Sequence, residues 1–271
     1  MTTVRPDRVA ALLEEVTEDV ILPRFRNLKS GDITDKGGGD YVTLADQESE
    51  ALLTRALTDL LPGSVVVGEE AVHGDASILA RISGDAPVWI IDPLDGTNNF
   101  TKGSDLFAVM AALVVKGQTV LGAIHLPVRR ETATAELGSG AFMAGRKLRT
   151  APPRPLDELR ASVHTRYLPQ PLRGRAHAAT QQFRSNEEVF CCGQVYVALA
   201  DGRFDGALYW RTYPWDHAMG ELILAEAGGV TAYADESPYT PLEQGRKGLI
   251  AASDLVTWRT LRDALFPPNS P

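Results

Sequence analysis

An uninterrupted apolar run, Val88-Trp89-Ile90-Ile91, is the feature that most limits the folds open to this chain. A strand that is apolar at every position is typical of a sheet covered on both faces, whereas a strand with one face in water alternates. The faces of a sheet are buried against other layers of secondary structure. The run therefore predicts an architecture of stacked helical and sheet layers.

The rest of the chain contains both helical and strand-like periods. Helices are predicted over residues 9–21 before Pro23, over residues 52–61 before Pro62-Gly63, and over residues 216–227 before Gly228-Gly229. Strands are predicted at residues 64–67, 107–115, 119–125 and 248–252. Hairpin turns are predicted at residues 116–118 and 137–140, and a flexible polar loop at residues 36–40. This mixture predicts an α/β (α+β mixed) protein.

A proline-rich segment at residues 151–155, Ala-Pro-Pro-Arg-Pro, interrupts the pattern near the middle of the chain. Such a segment breaks helices and strands alike and is typical of a boundary. We therefore expect two packed halves, residues 1–150 and residues 151–271.

Charge and composition exclude several functional classes. The 27 Lys and Arg against 35 Asp and Glu give a net charge of −8, which disfavours a nucleic-acid polymer as partner. The longest apolar stretch, residues 106–115, is far shorter than the roughly 20 residues of a membrane helix. The two cysteines, Cys191 and Cys192, are adjacent and do not suggest a disulfide framework. With no apolar signal core near the N-terminus, we expect a cytoplasmic protein without a membrane partner.

Acidic residues gather at the ends of the predicted elements. Glu69-Glu70 follow the strand at 64–67, Asp92 and Asp95 follow the strand at 88–91, and Asp216 lies at a helix start. Asp46 is an earlier candidate of the same kind. If these carboxylates meet at one sheet edge, their repulsion must be relieved by protons or by cations. Oxygen-rich sites suit Mg²⁺, Mn²⁺ or Ca²⁺ better than zinc.

The segment Asp92-Pro93-Leu94-Asp95-Gly96-Thr97 has features of a combined cation and anion site. Pro93 bends the chain out of the strand, so the carbonyl of Leu94 is free to join the two carboxylates as a hard ligand. A helix is expected to begin near Thr97, where backbone amides bind anions and Gly96 allows a close approach. A cation beside an anion is what hydrolysis of a phosphate ester requires.

Each acidic group also has a simpler explanation when taken alone. Glu69-Glu70 fits a solvated loop, Asp92–Asp95 an ordinary proline turn, and Asp216 or Asp46 a helix cap. Cys191 and Cys192 fit small buried apolar residues. The functional interpretation depends on the occurrence of the acidic groups together, each at the end of an element.

With these motifs, the sequence resembles the inositol monophosphatase family of lithium-sensitive, Mg²⁺-dependent phosphatases related to fructose-1,6-bisphosphatase. The main matching segments are residues 68–70, residues 89–100 (Trp-Ile-Ile-Asp-Pro-Leu-Asp-Gly-Thr-Asn-Asn-Phe), and residues 215–220 with 226–229. Weaker matches are residues 40–43 with Asp46, and residues 138–142 with Gly145-Arg146. The resemblance extends over roughly residues 8–253.

The resemblance implies a layered αβαβα sugar-phosphatase fold and a homodimer. It implies two or three Mg²⁺ ions, with Mn²⁺ as an alternative, held by Glu69, Asp92, the Leu94 carbonyl, Asp95 and Asp216. A metal-bound water would attack phosphorus in line, held by Glu69 and Thr97, with Asp46 supporting Thr97. The Gly96 and Thr97 amides would hold the phosphate.

The residues expected to contact substrate are Asp95, Gly96, Thr97, Gly193 and Asp216. Three positions differ from the inositol-type pattern. Gln194 follows Gly193 where Ser or Thr is usual, Tyr209 stands where an acid meets inositol hydroxyls, and Phe190 replaces a frequent arginine. Tyr209, Trp210 and Arg211 suit an aromatic, nucleotide or second phosphate group, or else the two aromatic residues belong to the core.

The combined hypothesis is a Mg²⁺-dependent phosphomonoesterase that acts on a small phosphorylated substrate of the inositol monophosphate type. Histidinol phosphate, a nucleotide 3′-phosphate and fructose bisphosphate remain alternative substrates. A haloacid-dehalogenase phosphatase, in which Asp92 would be a covalent nucleophile, fits less well because Pro93 follows Asp92 and Glu69-Glu70 precede it. A non-enzymatic metal-binding scaffold or regulatory relic is a further alternative.

Overall fold

The computed structural model describes residues 4–29, 31–37 and 40–266. The helices of these residues are α1 Pro6–Val16, α2 Leu44–Leu60, α3 Glu69–Gly74, α4 Thr97–Thr101, α5 Leu172–Thr180, α6 Cys192–Ala200, α7 Pro214–Ala227 and α8 Leu255–Leu265. The strands are β1 Ile33–Gly37, β2 Asp40–Thr43, β3 Val65–Gly68, β4 Val88–Asp95, β5 Ala108–Val115, β6 Gln118–Leu126, β7 Glu131–Glu136, β8 Gly140–Met143, β9 Arg146–Lys147, β10 Arg160–Val163, β11 Ser185–Asn186, β12 Gly206–Tyr209, β13 Val230–Tyr233 and β14 Leu249–Ala252.

Two large sheets organise the fold. The first has seven strands in the order β3-β4-β5-β6-β7-β8-β9, in which only β3 and β4 run parallel. The second has five strands in the order β11-β10-β12-β14-β13, with β10 parallel to both of its neighbours and the other pairs antiparallel. A separate hairpin pairs β1 with β2.

Strand β4 is covered on both faces, as its apolar run predicts. Val88 and Ile90 face one cluster of buried side chains, whereas Trp89 and Ile91 face another. All eight residues of β4 are buried. Side chains alternate between the faces of a sheet, so a strand with no polar position in this run needs packing partners on both sides.

Three apolar clusters bind the layers together. One lies between α1, α2 and the seven-stranded sheet, and includes Leu53. A second joins the other face of that sheet to α6 and α7, and reaches Ala207 and Ala251 of the five-stranded sheet. The third joins the five-stranded sheet to α5 and α8 around Leu261. The layers follow the order helices, sheet, helices, sheet, helices, so the αβαβα fold is confirmed.

Most predicted elements are confirmed, with shifted ends. The predicted helix at 9–21 is α1, which continues as a π-helical turn over Thr17–Ile21. The predicted helix at 216–227 is α7, and Gly228 ends it with a left-handed φ of 105°. The strands at 64–67, 107–115, 119–125 and 248–252 and both hairpin turns are present within a residue or two.

Two predictions about the first 60 residues need correction. The helix expected at 52–61 begins eight residues earlier, at Leu44, because Thr43 and Asp46 form a capping box there. The segment 36–40 is not simply a flexible loop, since Lys36 and Gly37 belong to β1 and Asp40 begins β2. Residues 38 and 39 of that segment lie outside the described residues.

No helix among the described residues is long and apolar enough to cross a membrane.

The seven-stranded sheet is built from residues 65–147 and the five-stranded sheet from residues 160–252. We keep the division into halves at residue 150 as a proposal, because α6 and α7 pack against both sheets.

Candidate active site

The parallel pairing of β3 with β4 brings the first two acidic groups to one sheet edge. Gly68 pairs with Ile91, so the next residues, Glu69 and Asp92, lie side by side at the carboxyl end of β3. Glu69 is the first residue of α3. Glu69 and Glu70 are therefore held at a helix start, and the simpler interpretation as a solvated loop is wrong.

The predicted break at Pro93 is visible in the sheet register. Asp92 pairs with Met110 and Asp95 with Ala108, so the ladder is irregular between these two acids. The backbone amide of Leu94 donates to Asp92 Oδ1 at 3.0 Å. The irregularity therefore falls at Pro93, where the motif predicts a bend, although β4 continues to Asp95.

The carbonyl of Leu94 turns toward the predicted helix start. It lies 3.0 Å from the hydroxyl of Thr97, and this hydroxyl is also 2.9 Å from Asp46 Oδ1. Asp46 accepts from the Thr43 amide at 2.7 Å. Asp46 therefore both caps α2 and holds Thr97. The two roles suggested from the sequence, a helix cap and a support for Thr97, are compatible.

Gly96 occupies a position that no other residue fits without strain. Its φ is 87°, in the left-handed region, and a Cβ there would lie 2.9 Å from the carbonyl oxygen of Leu106. It would also lie 3.2 Å from Cys191 Cβ. Helix α4 begins at the next residue, Thr97, so the predicted helix start is confirmed.

The carboxylate of Asp95 is held by the N-terminus of α6. It accepts from the amide of Gly193 at 2.6 Å, from the amide of Cys192 at 3.1 Å, and from Cys191 Sγ at 2.9 Å. Burial raises the pKa of Asp95, and these hydrogen bonds oppose the rise because a helix N-terminus stabilises negative charge. The structure thus places Gly193 beside Asp95, and its expected contact with a substrate stays a prediction.

The surroundings of Gly193 also explain why glycine is needed there. A Cβ on Gly193 would lie 2.7 Å from Met110 Sδ and 2.9 Å from Ala108 Cβ. The next residue, Gln194, is buried and donates from Nε2 to the carbonyl of Phe107 at 3.1 Å. Gln194 therefore anchors α6 to β5, which gives this departure from the inositol-type pattern a role in packing.

Asp216 approaches from the first turn of α7. The helix begins at Pro214 and its cap residue is Tyr213, so Asp216 lies inside the helix and is not its N-cap. Its side chain lines the same cavity as Glu69, Asp92 and Asp95. The four acids predicted to converge therefore come from β3–α3, β4 and α7.

The electrostatics of the acidic end follow from burial and mutual repulsion. Burial raises the pKa of Glu69 well above its usual range, and Asp216 adds to the rise, while Lys36 opposes it. Burial, followed by the charges of Glu69 and Asp95, raises the pKa of Asp92 in the same way. Burial also raises the pKa of Asp46 to about 6. The cluster is therefore short of positive charge.

Lys36 and Glu50 contribute contacts that the sequence analysis missed. Lys36 Nζ lies 2.6 Å from Glu70 Oε1 and 3.4 Å from Glu69 Oε1. Glu50 accepts from the amides of Glu70 and Ala71, both at 2.8 Å, and so caps α3. Neither residue lies in a motif; the only signal was that Lys36 is the one cation in the loop before Asp40.

The sequence analysis also missed the contacts that Cys191 and Cys192 make at the site. Cys191 is buried, in agreement with its apolar interpretation, but its Sγ also contacts Asp95. Cys192 is partly buried and lines the cavity. The available signal for this contact was the position of the two cysteines just before Gly193. A helix that begins there would have free backbone amides at its N-terminus.

The oxygen donors of the acidic cluster are carboxylates and the Leu94 carbonyl. Among the described residues, no three His, Cys, Asp or Glu side chains are already arranged as a metal cage. Asp95 is engaged by the α6 amides and Glu69 by Lys36. Carboxylate and carbonyl oxygens are nevertheless the donors that suit a hard divalent cation.

The cavity extends well beyond the acids and has a volume of about 680 Å³. Its acidic end is lined by Lys36, Glu69, Asp92, Asp95, Thr97 and Asp216. The cavity is also lined by aromatic rings, among them Tyr167, Phe190, Tyr209, Trp210, Tyr213 and Trp215. A single cavity therefore has both acidic and aromatic lining residues.

Comparison with known proteins shows the family of this chain. A profile of the inositol monophosphatase family matches residues 7–265. Inositol-1-monophosphatase of Mesorhizobium japonicum is 34% identical over 259 residues, which are 91% of this chain and 90% of that protein. The chain belongs to the inositol monophosphatase family. The resemblance in the motifs is thereby confirmed.

Other members of the family are also similar to this chain. The Nus factor SuhB of Salmonella typhimurium is 32% identical over 79% of each chain. The IMPase of Thermotoga maritima superposes with a TM-score of 0.81 at 26% identity, covering 96% of this chain and 97% of that one. The extragenic suppressor protein suhB of Bartonella henselae has the same TM-score at 27% identity, covering 97% and 98%.

Proposed function

We propose that the protein is a Mg²⁺-dependent phosphomonoesterase that hydrolyses a small phosphate ester of the inositol monophosphate type. The observation that carries the proposal is the meeting of Glu69, Asp92, Asp95 and Asp216 at one end of a single cavity. Buried carboxylates that repel one another favour a divalent cation, and a cation beside an anion site suits a phosphate ester. Family membership supports the same reaction class.

The groups that would hold two or three Mg²⁺ ions are Glu69, Asp92, the Leu94 carbonyl, Asp95 and Asp216, with Mn²⁺ as an alternative ion. When bound, Mg²⁺ neutralises the charge of the phosphate and lowers the pKa of water. To take part, Asp95 would share its carboxylate between the α6 amides and an ion, since each carboxylate oxygen accepts more than one contact.

The chain's own groups orient the reactants. The Thr97 hydroxyl, fixed by Asp46, and the carboxylate of Glu69 position the attacking water. The amides of Gly96 and Thr97 hold the phosphate, because Gly96 leaves the backbone accessible. Catalysis of phosphoryl transfer depends mostly on such positioning and on charge stabilisation, so no covalent intermediate is needed.

Inositol monophosphate heads the proposed substrates, with histidinol phosphate, a nucleotide 3′-phosphate and fructose bisphosphate as alternatives. Gly193 is proposed to contact the substrate near Asp95. A homodimer, a cytoplasmic location and inhibition by lithium are further parts of the proposal. The absence of a nucleic-acid partner stays a prediction, since some relatives are named Nus factor SuhB.

The test is release of phosphate from these esters with Mg²⁺ and with EDTA. We expect one ester to be preferred, activity to be lost in EDTA, and Asp95→Asn to lower kcat by about 100-fold or more. Asp59→Asn is the matched control, because Asp59 is exposed on α2, away from the cavity. Near-normal turnover in Asp95→Asn would rule out the proposed ligand set.

Two other results would favour the alternatives. A phosphorylated enzyme trapped by acid quenching would indicate a covalent nucleophile and the haloacid-dehalogenase mechanism. If no ester is hydrolysed and Mg²⁺ leaves the thermal unfolding temperature unchanged, the non-enzymatic regulatory relic becomes the better explanation.

A further inference from the structure

Asn99 belongs to the motif at residues 89–100, but the proposed function gives it no role. It lies in α4, two residues after Thr97, and is partly buried. Thr97 is among the described residues that line the cavity, whereas Asn99 is not. Any part that Asn99 takes in the reaction must therefore act through other residues.

The side-chain amide of Asn99 joins two other segments of the chain. Its Nδ2 donates to the carbonyl of Leu106 at 2.8 Å and to the carbonyl of Phe190, 91 positions away, at 3.0 Å. An amide nitrogen carries two hydrogens, so both carbonyls can accept at the same time. The contact therefore holds α4, the segment before β5 and the segment before α6 together.

The two carbonyls that Asn99 holds are also the ones packed against Gly96. A Cβ at Gly96 would lie 2.9 Å from the Leu106 oxygen and 3.2 Å from the Phe190 oxygen. The backbone amide of Asn99 donates to the carbonyl of Gly96 itself at 2.8 Å. Asn99 therefore fixes the turn at Gly96 both directly and through the two carbonyls beside it. This is the turn whose amides are proposed to hold the phosphate.

The same contact reaches the groups that hold the carboxylate of Asp95. Phe190 directly precedes the donors of Asp95, which are Cys191 Sγ and the amides of Cys192 and Gly193. A shift of the Phe190 carbonyl would therefore move these donors relative to the bound phosphate. Phosphoryl transfer is sensitive to such a shift, because a displacement of about 1 Å caused away from the chemistry can lower the rate by about 100-fold.

We propose that Asn99 is a positioning residue, whose amide fixes the spacing between the phosphate-binding amides at Gly96 and Thr97 and the carboxylate of Asp95. This inference rests on the proposed phosphatase function and adds a residue to it. A positioning residue affects the transition state and the bound phosphate, whereas a residue that only adds stability affects neither in the folded protein.

The first test is Asn99→Asp, which keeps the shape of the side chain and, when ionised, loses both hydrogen bonds because a carboxylate only accepts. The full-length protein is assayed with Mg²⁺ and the ester that the wild type prefers. At about pH 8 we expect kcat/KM to fall by about 100-fold. The KI of inorganic phosphate, which probes the phosphate site alone, should rise by about tenfold because its backbone donors are displaced.

The pH profile of Asn99→Asp gives a readout that a loss of stability does not move. A carboxylate that faces two carbonyl oxygens has a raised pKa, and its protonated form again donates one hydrogen bond. The loss of kcat/KM relative to the wild type should therefore shrink by about tenfold between about pH 8 and about pH 5. Asn99→Ala has no titratable group, so its loss should be the same at both pH values.

Asn186→Asp is the matched control, because Asn186 is also partly buried and lies outside the cavity. Its Nδ2 donates to the carbonyl of Val163 at 3.0 Å, and its Oδ1 accepts from the amide of Val163 at 2.9 Å. The substitution again takes a donor from a backbone carbonyl, so it should lower the free energy of unfolding in urea. It should leave kcat/KM and the KI of phosphate within about twofold of the wild type.

The outcomes separate this inference from the proposed function. A loss of stability in both Asn99 variants, with kcat/KM within about threefold of the wild type, would overturn the positioning role and leave the phosphatase in place. A loss of kcat/KM in Asn99→Asp that does not change with pH would overturn it too. If Asn99→Asp does not fold at about pH 8, Asn99→Ala replaces it in that comparison; if neither variant folds, the contact is structural and the inference is wrong. If the wild type hydrolyses no ester of the panel, it is the phosphatase function that fails, and this inference fails with it.

Discussion

Thr97 is the residue whose substitution most directly separates positioning from folding. Its hydroxyl lies between Asp46 and the Leu94 carbonyl, at the end of the cavity proposed to hold the phosphate. We expect Thr97→Ala to lower kcat by about 100-fold, because the attacking water loses an orienting group. Thr97→Ser keeps the hydroxyl and should stay within about tenfold of the wild type. Equal losses in both variants, measured by phosphate release, would contradict this role.

Glu221 should make the free energy of unfolding depend on pH. Burial in α7 raises its pKa from 4.5 to about 7, so the folded state holds a proton that the unfolded state releases. The stabilisation is complete below pH 4.5 and is lost as the pH rises through 7. Glu221→Gln should therefore be more stable than the wild type at about pH 8.5, by about 1–3 kcal/mol, and gain no such advantage at about pH 4. Urea unfolding at both values checks this.

The acidic residues could be predicted from the sequence, whereas their partners could not. Asp92, Asp95 and Thr97 lie in one short motif, so local chemistry suffices to place them. The contacts of Lys36 with Glu70 and of Cys192 with Asp95 join residues 34 and 97 positions apart. Contacts of that kind depend on how the elements pack, and a single sequence carries no local signal for them.

Helix α3 depends on a cap supplied by another helix. Glu50 of α2 accepts from the amides of Glu70 and Ala71, which begin α3 together with Glu69. We expect Glu50→Ala to reduce the free energy of unfolding by about 1–3 kcal/mol, because two amides lose a buried partner. Turnover should fall as well, since Glu69 loses its fixed position.

A second variant on α2 provides the control for this cap. Glu48 lies on the same helix and makes an ion pair with Arg24, in which its side chain is 50% exposed. Glu48→Ala should change the free energy of unfolding by less than about 1 kcal/mol and leave turnover unchanged. Denaturant unfolding and phosphate release on both variants check the pair; a loss of stability and turnover in Glu48→Ala equal to that in Glu50→Ala would argue against the cap.

Elements with a clear apolar period could be predicted, and those defined by polar contacts could not. The apolar stripe placed the second half of α2, but its first turns are held by the capping box of Thr43 and Asp46. Strand β4 continues past Ile91 through the proline to Asp95, because β5 keeps pairing with it across the irregularity. Proline would have been expected to end the strand at Ile91.

The middle helical layer, formed by α6 and α7, contributes to the stability of the whole molecule. Gly220 of α7 faces the fully buried Tyr196 of α6, where a Cβ would lie 2.2 Å from the ring. We expect Gly220→Ala to reduce the free energy of unfolding by about 1–3 kcal/mol and to keep a single transition, because this layer packs on both sheets.

The same substitution at a second glycine should have the opposite effect on the free energy of unfolding. Gly174 is exposed in α5, and a Cβ there would lie 3.6 Å from the nearest atom, Gln170 Oε1. Gly174→Ala should raise the free energy of unfolding by about 0.5–1 kcal/mol, since alanine is the better helix former. If urea unfolding shows that both substitutions change the free energy of unfolding in the same direction, the approach of α6 to α7 is not tight.

Because Asp95 contacts α6, the acidic end cannot be completed until the chain has been synthesised past α6. A nascent chain that has emerged only as far as β9 already contains Glu69, Asp92 and Asp95, but neither the amides of α6 nor Asp216. Its seven-stranded sheet also lacks the cover that α6 and α7 provide. Docking of these two helices buries the open face and completes the charged cluster in one event. An interrupted translation product therefore cannot acquire the site without first acquiring the core.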